Sequence, residues 1–195
     1  MHNNISLKGE YIRKFIHLAS GIVPILILVF GKDFILPKLI LITMIFILLD
    51  FLKIRFSWIL NIYNFFFKSL SRDYDLTHFT GASYVLIGYS IVLFVFPEDI
   101  AIFSIFILCI SDTFAALIGR VYGNNKIGFK SLEGTFAFIF TGLLVSIFFQ
   151  NIPLIIRILT VIITAFIELT ITKVNDNLSI PIVASLVSYL GINIS

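Results

Sequence analysis

Residues 134–156 read GTFAFIFTGLLVSIFFQNIPLII, without one charged side chain. About 20 such residues, rising 1.5 Å each as a helix, match the roughly 30 Å hydrocarbon core of a bilayer. Residues 76–97 and 177–195 are uncharged in the same way. Inside lipid a lone strand leaves its backbone groups unpaired, so each run is read as a helix. Totals over the chain agree. Of 195 residues, 59% are hydrophobic and only 13% charged, with 22 phenylalanines and a mean hydropathy of +1.07. A soluble domain carries about twice that share of charge. A water-soluble enzyme and a disordered chain are both excluded.

Working outward from these runs, the sequence predicts an all-α, polytopic integral membrane protein with one domain over 1–195. About seven transmembrane helices are expected, at 12–31, 34–52, 80–97, 99–118, 134–152, 154–173 and 178–194. Residues 54–67 are apolar on one side and flanked by Arg55 and Lys68, the pattern of a helix lying in the interface. Residues 68–78 read as a polar loop. The first span ends Val29-Phe30-Gly31-Lys32, which lacks a small-x-small cleavage site, so it reads as a retained helix.

Cys109 is the single cysteine, which excludes a disulfide framework or a cysteine-rich metal site. The net charge of +3 comes without a basic stripe, so no nucleic-acid partner is expected. The cations set orientation instead. With seven spans, Lys8, Arg13, Lys14, Lys53, Arg55, Lys68, Arg72, Arg120, Lys126, Lys130 and Lys173 share one face. Lys32, Lys38 and Arg157 share the other. The positive-inside rule then puts the amino terminus in the cytosol.

Ionisable groups within spans are costly and point to function. Here they are His17, Asp50, Asp112 and Glu168, all near the expected cytosolic ends of their helices. Their confinement to one half of the bilayer argues for a polar site open to the cytosol. A transporter site would lie near the midplane.

The densest chemistry runs from Ser111 to Gly134, SDTFAALIGRVYGNNKIGFKSLEG. Asp112, Ala115, Ala116, Gly119 and Gly123 recur at helical intervals. Taken alone, Ala115 and Gly119 read as a small-residue packing face. The stripe leads into a loop bearing Arg120, Lys126 and Lys130, with Gly123 and Gly128 between them. Glycines admit close backbone approach to a ligand, and clustered cations suit phosphates. Ser131 falls where the next helix begins, a place where free amides bind anions, and Glu133 adds a metal-ligating oxygen. Carboxylates and cations around one loop suit a Mg²⁺–polyphosphate.

Towards the amino terminus, Glu10, Arg13, Lys14, His17 and Gly21 share one helical face. Near the other end, residues 175–181 read NDNLSIP, a turn followed by a helix. There Asp176 is either a cap or a metal ligand.

Together these pieces resemble the CTP-dependent lipid kinase family that includes dolichol kinase, phytol kinase and the yeast-type diacylglycerol kinase. The resemblance covers most of the chain. It rests on RKFIH at 13–17, GASYVLIG at 81–88, DTFAALIGRVYGNNKIGFKSLEG at 112–134, and Glu168-Leu169 followed by DNLSIP at 176–181. It implies a CTP site on Arg13, Lys14, Asp112 and Gly119, extended by Lys130, Ser131, Glu133 and Gly134. Asp50, followed by Lys53 and Arg55, departs from the glutamate-before-arginine pattern of relatives. The central block also resembles phosphatidate cytidylyltransferases, which implies the rival reaction, CMP transfer to a lipid phosphate. The short chain, RKFIH and DNLSIP favour the kinase.

The expected reaction moves the γ-phosphoryl of CTP, or another nucleoside triphosphate, to the hydroxyl of a membrane-dissolved lipid alcohol. That alcohol is a polyprenol, a phytol-like isoprenoid or diacylglycerol, its tail entering sideways between helices. The expected setting is the inner membrane of a prokaryote, with the site facing the cytosol. Mg²⁺ is expected on Asp112, with Glu133 or Asp176. Arg13, Lys14, Arg120, Lys126 and Lys130 would neutralise phosphoryl charge beside Gly119, Gly123, Ser131 and Gly134. The proton acceptor is a carboxylate or His17.

Overall fold

The computed structural model describes residues 7–68, 71, 73–171 and 174–194. Arg72, Lys173 and the side chain of Lys8, counted above among the cations that set orientation, lie outside the described part.

Each uncharged run becomes helix, as lipid requires. Helix α1 (Leu7–Ala19) and helix α2 (Ile22–Phe30) form one rod with a break at Ser20-Gly21. The Ser20 hydroxyl donates to the His17 carbonyl at 2.5 Å, and the Gly21 amide to Leu18 O at 3.0 Å. Pro24 sits in the first turn of α2, where the amide it lacks would be unused anyway. Gly31, at φ +80°, turns the chain into α3 (Lys32–Arg55). Helix α4 (Ser57–Phe67) buries none of its residues. A short α5 (Asp73–Thr77) leads to α6 (Gly81–Val95), capped by the Thr80 side chain.

The centre of the fold is a second broken rod. Helix α7 (Glu98–Phe106) passes through a π-helical stretch, Ile107–Asp112, into α8 (Thr113–Val121). Phe103, Ile105, Ile107, Leu108 and Cys109 are fully buried there. In its most apolar window this rod is 72% buried, against 17% for α3, so α3 is a lipid-facing flank. A hairpin of β1 (Lys126–Ile127) and β2 (Lys130–Ser131) turns at Gly128, φ +60°. It delivers the chain to α9 (Leu132–Ser146), after which come α10 (Leu154–Thr170) and α11 (Asp176–Ile194). Helices α10 and α11 pack on each other, with α9 against α10 and α6 against α11.

All seven segments read from the sequence are helical over most of their described residues. Among the described residues, four helical rods are long and apolar enough to cross a membrane: Gly9–Phe30, Lys32–Arg55, Glu98–Val121 and Asp176–Ile194. Helices α6 and α9 are apolar but shorter.

One close approach joins α6 to α11. Pro181 has no amide to give the Asn177 carbonyl, and that carbonyl is the atom on which Gly88 packs. A Cβ at Gly88 would lie 2.6 Å from Asn177 O and 3.2 Å from Pro181 Cγ. Gly88→Ala is therefore expected to destabilise the protein by about 2 kcal/mol, read as a lower Tm in detergent. An unchanged Tm would show that the two helices are not held this tightly.

Candidate active site

Charged side chains from five separate elements meet at one end of the bundle. Asp112, at the end of the π-helical stretch, is 5% exposed. Its Oδ2 accepts from Lys14 Nζ of α1 at 2.6 Å and lies 3.4 Å from His17 Nε2. His17 Nε2 also lies 3.2 Å from the Leu108 carbonyl. A carbonyl and a carboxylate only accept, so Nε2 carries a proton and donates. That proton goes to the Leu108 carbonyl, which sets the ring beside Asp112, and Nε2 is not a proton acceptor in this arrangement. π-helical turns recur at functional sites; here the turn sets Asp112 and the Leu108 carbonyl on the same side as α1.

Lys130, from β2, reaches the other acids. Its Nζ is 2.8 Å from Glu168 Oε1 on α10 and 3.0 Å from both Asp176 carboxylate oxygens on α11. It also donates to the Glu168 carbonyl. Oxygens of Asp112, Glu168 and Asp176 all lie within 4.8 Å of one another. Three carboxylates face two lysines, which leaves one negative charge in excess. An all-oxygen, net-anionic donor set fits a hard divalent cation such as Mg²⁺. Burial alone would lower the Lys130 pKa, but Asp176 and Glu168 outweigh it and raise the value above the ordinary 10.5.

Several sequence-predicted residues lie elsewhere. Glu133 is not part of this acid trio. At the start of α9 its carboxylate turns back to the Asn125 amide at 3.0 Å and the Asn125 side chain at 2.8 Å. Its own amide and that of Asn125 hold its pKa below the usual glutamate value. Glu133 shapes the hairpin, and the third carboxylate is Glu168. The sequence had marked Glu168 as an ionisable group in a span without giving it a role.

The glycines also differ from expectation. A Cβ at Gly134 would meet Ala115 O at 2.7 Å; one at Gly119 or Gly123 would meet Ser131 Oγ at 2.9 or 2.6 Å. These positions press α8 against the start of α9, leaving no open cradle between them. Ser131 Oγ accepts from the Gly134 amide at 3.2 Å, so it caps α9 itself. Arg120 pairs with Glu10 at 3.5 Å, and Lys126 donates to Gly119 O at 3.2 Å.

Asp50 belongs to a neighbouring polar node. Its oxygens accept from Lys53 Nζ at 2.9 Å, the Thr80 amide at 2.7 Å and Ser83 Oγ at 2.6 Å. Lys53 donates further to the Asp75 and His78 carbonyls. These bonds tie α3 to Thr80 and Ser83 at the start of α6. Arg13 joins this node through Asp75 at 3.4 Å and borders Gly81 of α6. Asn177 Nδ2 donates to Gly81 O at 2.9 Å, linking the node to the start of α11. Of the sequence-predicted residues, Lys14, His17, Asp112, Lys130 and Asp176 are therefore gathered directly, and Arg13 borders them.

Over 180 residues, 87% of this chain and 88% of the relative, the sequence is 30% identical to an uncharacterized protein of Rickettsia prowazekii. The chain belongs to that protein's family. Two yeast enzymes match in part. One is the CTP-dependent diacylglycerol kinase 1 of Schizosaccharomyces pombe, 39% identical over 72 residues, 36% of this chain and 33% of the enzyme. The other is the CTP-dependent diacylglycerol kinase 1 of Saccharomyces cerevisiae, 29% identical over 135 residues, 67% of this chain and 47% of the enzyme. The chain thus spans between about a third and a half of these kinases' length. The partial matches support the CTP-dependent lipid kinase family. No family model matches the chain, and no solved structure does.

Lys130→Met would leave the buried Glu168 and the half-buried Asp176 without their common cation. It should cost about 3 kcal/mol, seen as a fall in Tm, and adding Asp176→Asn should restore part of it. Because the Lys130 pKa is raised on folding, the stabilisation from its charge is complete below about pH 10.5 and fades above it. A Tm difference between wild type and Lys130→Met that stays constant through that range would contradict the pairing.

Proposed function

We propose that this chain is an integral membrane lipid kinase, one membrane domain that transfers the γ-phosphoryl group of CTP to the hydroxyl of a lipid alcohol. The observation that carries the reading is the acid trio, Asp112, Glu168 and Asp176, with Lys14 at 2.6 Å and Lys130 at 2.8 Å from its oxygens. Phosphoryl transfer asks chiefly for positioning and charge neutralisation, and this constellation offers both. The partial matches to the yeast enzymes support CTP as donor and diacylglycerol as one candidate acceptor; a polyprenol or a phytol-like isoprenoid is the other class.

In the transfer, the alcohol oxygen forms a bond to the γ-phosphorus as the β–γ bridging P–O bond breaks. CDP leaves with that electron pair, and the hydroxyl proton passes to a carboxylate of the trio. Mg²⁺ held by Asp112 with Asp176 and Glu168 would supply positive charge to the triphosphate. Lys14 and Lys130 stand where they would neutralise the remaining phosphoryl charge, and Arg13, Arg120 and Lys126 border the approach. His17, donating through Nε2 to the Leu108 carbonyl, sits beside Asp112 and ties α1 to the central rod. With the amino terminus in the cytosol, as the cation count favours, the site opens on the inner leaflet of a prokaryotic inner membrane. The clustering of the acids at one end supports an enzyme over a transporter, whose acids would be strung across the bilayer.

Purified protein incubated with γ-labelled CTP or ATP and a panel of lipid alcohols should place label in a lipid monophosphate. Label released as pyrophosphate with a phosphatidate acceptor would replace this reading with CMP transfer. Asp112→Asn should lower turnover by on the order of a thousandfold, with membrane insertion retained and Tm lowered because Lys14 loses its counter-charge. Near-normal turnover in that variant would remove Asp112 from the site.

A further inference from the structure

The site so far accounts for a hydroxyl and a triphosphate, but a lipid alcohol also has a long apolar chain. On the proposed reading that chain needs a place that starts at the acids and leads into the bilayer. The break between α1 and α2 supplies one. An apolar groove of about 330 Å³ lies there, walled on one side by Leu18, Gly21, Ile22 and Ile25 and on the other by Phe106 and Ile110.

Both walls lead away from the charged cluster. Leu18 follows His17 directly, and Ile110 stands two residues before Asp112. From there one wall proceeds along α1 and α2 to Ile25, and the other runs back along the central rod to Phe106. From His17 to Ile25 the rise is roughly 12 Å at 1.5 Å per residue. The floor of the groove, Gly21 and Cys109, therefore lies about one helical turn from His17 and Asp112, and the groove recedes from there along the helices.

Its shape follows from small side chains at the break. Ala19 and Gly21 leave the gap, and a Cβ at Gly21 would sit 3.8 Å from Cys109 Cβ on the floor. Leu18, Ile22 and Ile25 are 40%, 53% and 47% exposed, so the groove opens sideways onto the lipid flank. Polar groups near the floor are turned inward: the Tyr89 hydroxyl is 2.6 Å from Cys109 Sγ and 2.8 Å from Ser20 Oγ. What remains facing the groove is hydrocarbon.

We infer that this groove is the binding site for the hydrocarbon chain of the lipid alcohol, entered laterally from the bilayer with the hydroxyl delivered to Asp112. The inference rests on the kinase reading for its substrate class, and its physical basis is an apolar groove that opens on the lipid flank about one helical turn from a buried carboxylate. An ordinary membrane phospholipid is the competing occupant.

The test uses the full chain in nanodiscs with photoreactive diacylglycerol and photoreactive phytol, each carrying a diazirine within its hydrocarbon chain. Label should map by mass spectrometry to Ile22, Ile25, Phe106 or Ile110. Excess unlabelled alcohol should remove it, and excess phosphatidylcholine should not. Which of the two probes labels distinguishes a glyceride from an isoprenoid substrate. Equal displacement by phosphatidylcholine, or label on α9 and α10 instead, overturns the inference.

In kinetics, Gly21→Leu and Ile25→Trp should each lower the preference for a long-chain over a short-chain alcohol about tenfold, as a ratio of kcat/KM values. Ile25→Trp lies on the lipid-facing side and serves if Gly21→Leu fails to fold; an unchanged preference in a folded variant overturns the groove. Should the wild type phosphorylate no alcohol while alcohol-specific label still maps to the groove, the kinase reading falls and the chain-binding site stands.

Discussion

A carboxylate enclosed by apolar helices is strongly unfavourable unless a counter-charge reaches it, and the pairing of Asp112 with Lys14 meets that condition. Asp112 sits on the most deeply enclosed rod of the molecule, and Lys14 comes from a helix otherwise spread over the lipid-facing flank. The pair therefore fixes α1 against the central rod. Lys130 does the equivalent for α10 and α11, whose carboxylates would repel each other without it. Two ammonium groups and three carboxylates thus draw together elements that apolar packing alone would leave free to slide, since lipid tails are as apolar as leucine.

The same demand explains the irregular backbone. The central rod widens into a π-helical stretch just before Asp112, and α1 breaks into α2 one turn after His17. Irregularity at membrane depth is tolerated where the freed groups find partners. Here the Leu108 carbonyl is met by His17 and the His17 carbonyl by Ser20. Those two interruptions create both the polar cluster and the apolar groove beside it. A substrate with a charged reaction partner at one end and hydrocarbon at the other matches that pair of surfaces.

Much of the fold was legible because charge is so sparse: wherever it vanished for long enough, a helix stands. The number of full-length rods was harder to read, because α6 and α9 are shorter than the uncharged runs that hold them. Helix α9 stops at Ser146, although no charge appears before Arg157. In the site, Lys14, His17, Asp112 and Lys130 were legible from spacing within one helix or one motif. Glu168 was legible only as an acid near the end of its span; its pairing was not, since Lys130 lies 38 residues away and the packing of α10 on α9 brings them together. Glu133 stands outside the three gathered carboxylates for a local reason. In the first turn of α9 its carboxylate satisfies the Asn125 amide, a short-range bond that motif spacing does not reveal.

The glycines show how one pattern carries two meanings. A small-residue stripe on a helix serves either ligand approach or helix packing, and composition cannot separate them. The distances do: a Cβ at Gly134 would intrude on the Ala115 carbonyl, so the stripe serves the α8–α9 seam. That seam in turn sets where β2 projects Lys130, because Ser131 both caps α9 and packs on Gly119 and Gly123. Further along the bundle two pairs of buried hydroxyls bond to each other, Thr160 with Ser188 at 2.9 Å and Ser104 with Ser185 at 2.7 Å. Mutually satisfied hydroxyls act as adhesive between helices and offer no sequence of acids to pass an ion along. Charge is concentrated where Lys14 and Lys130 converge, and the glycine seam is what holds that convergence in register.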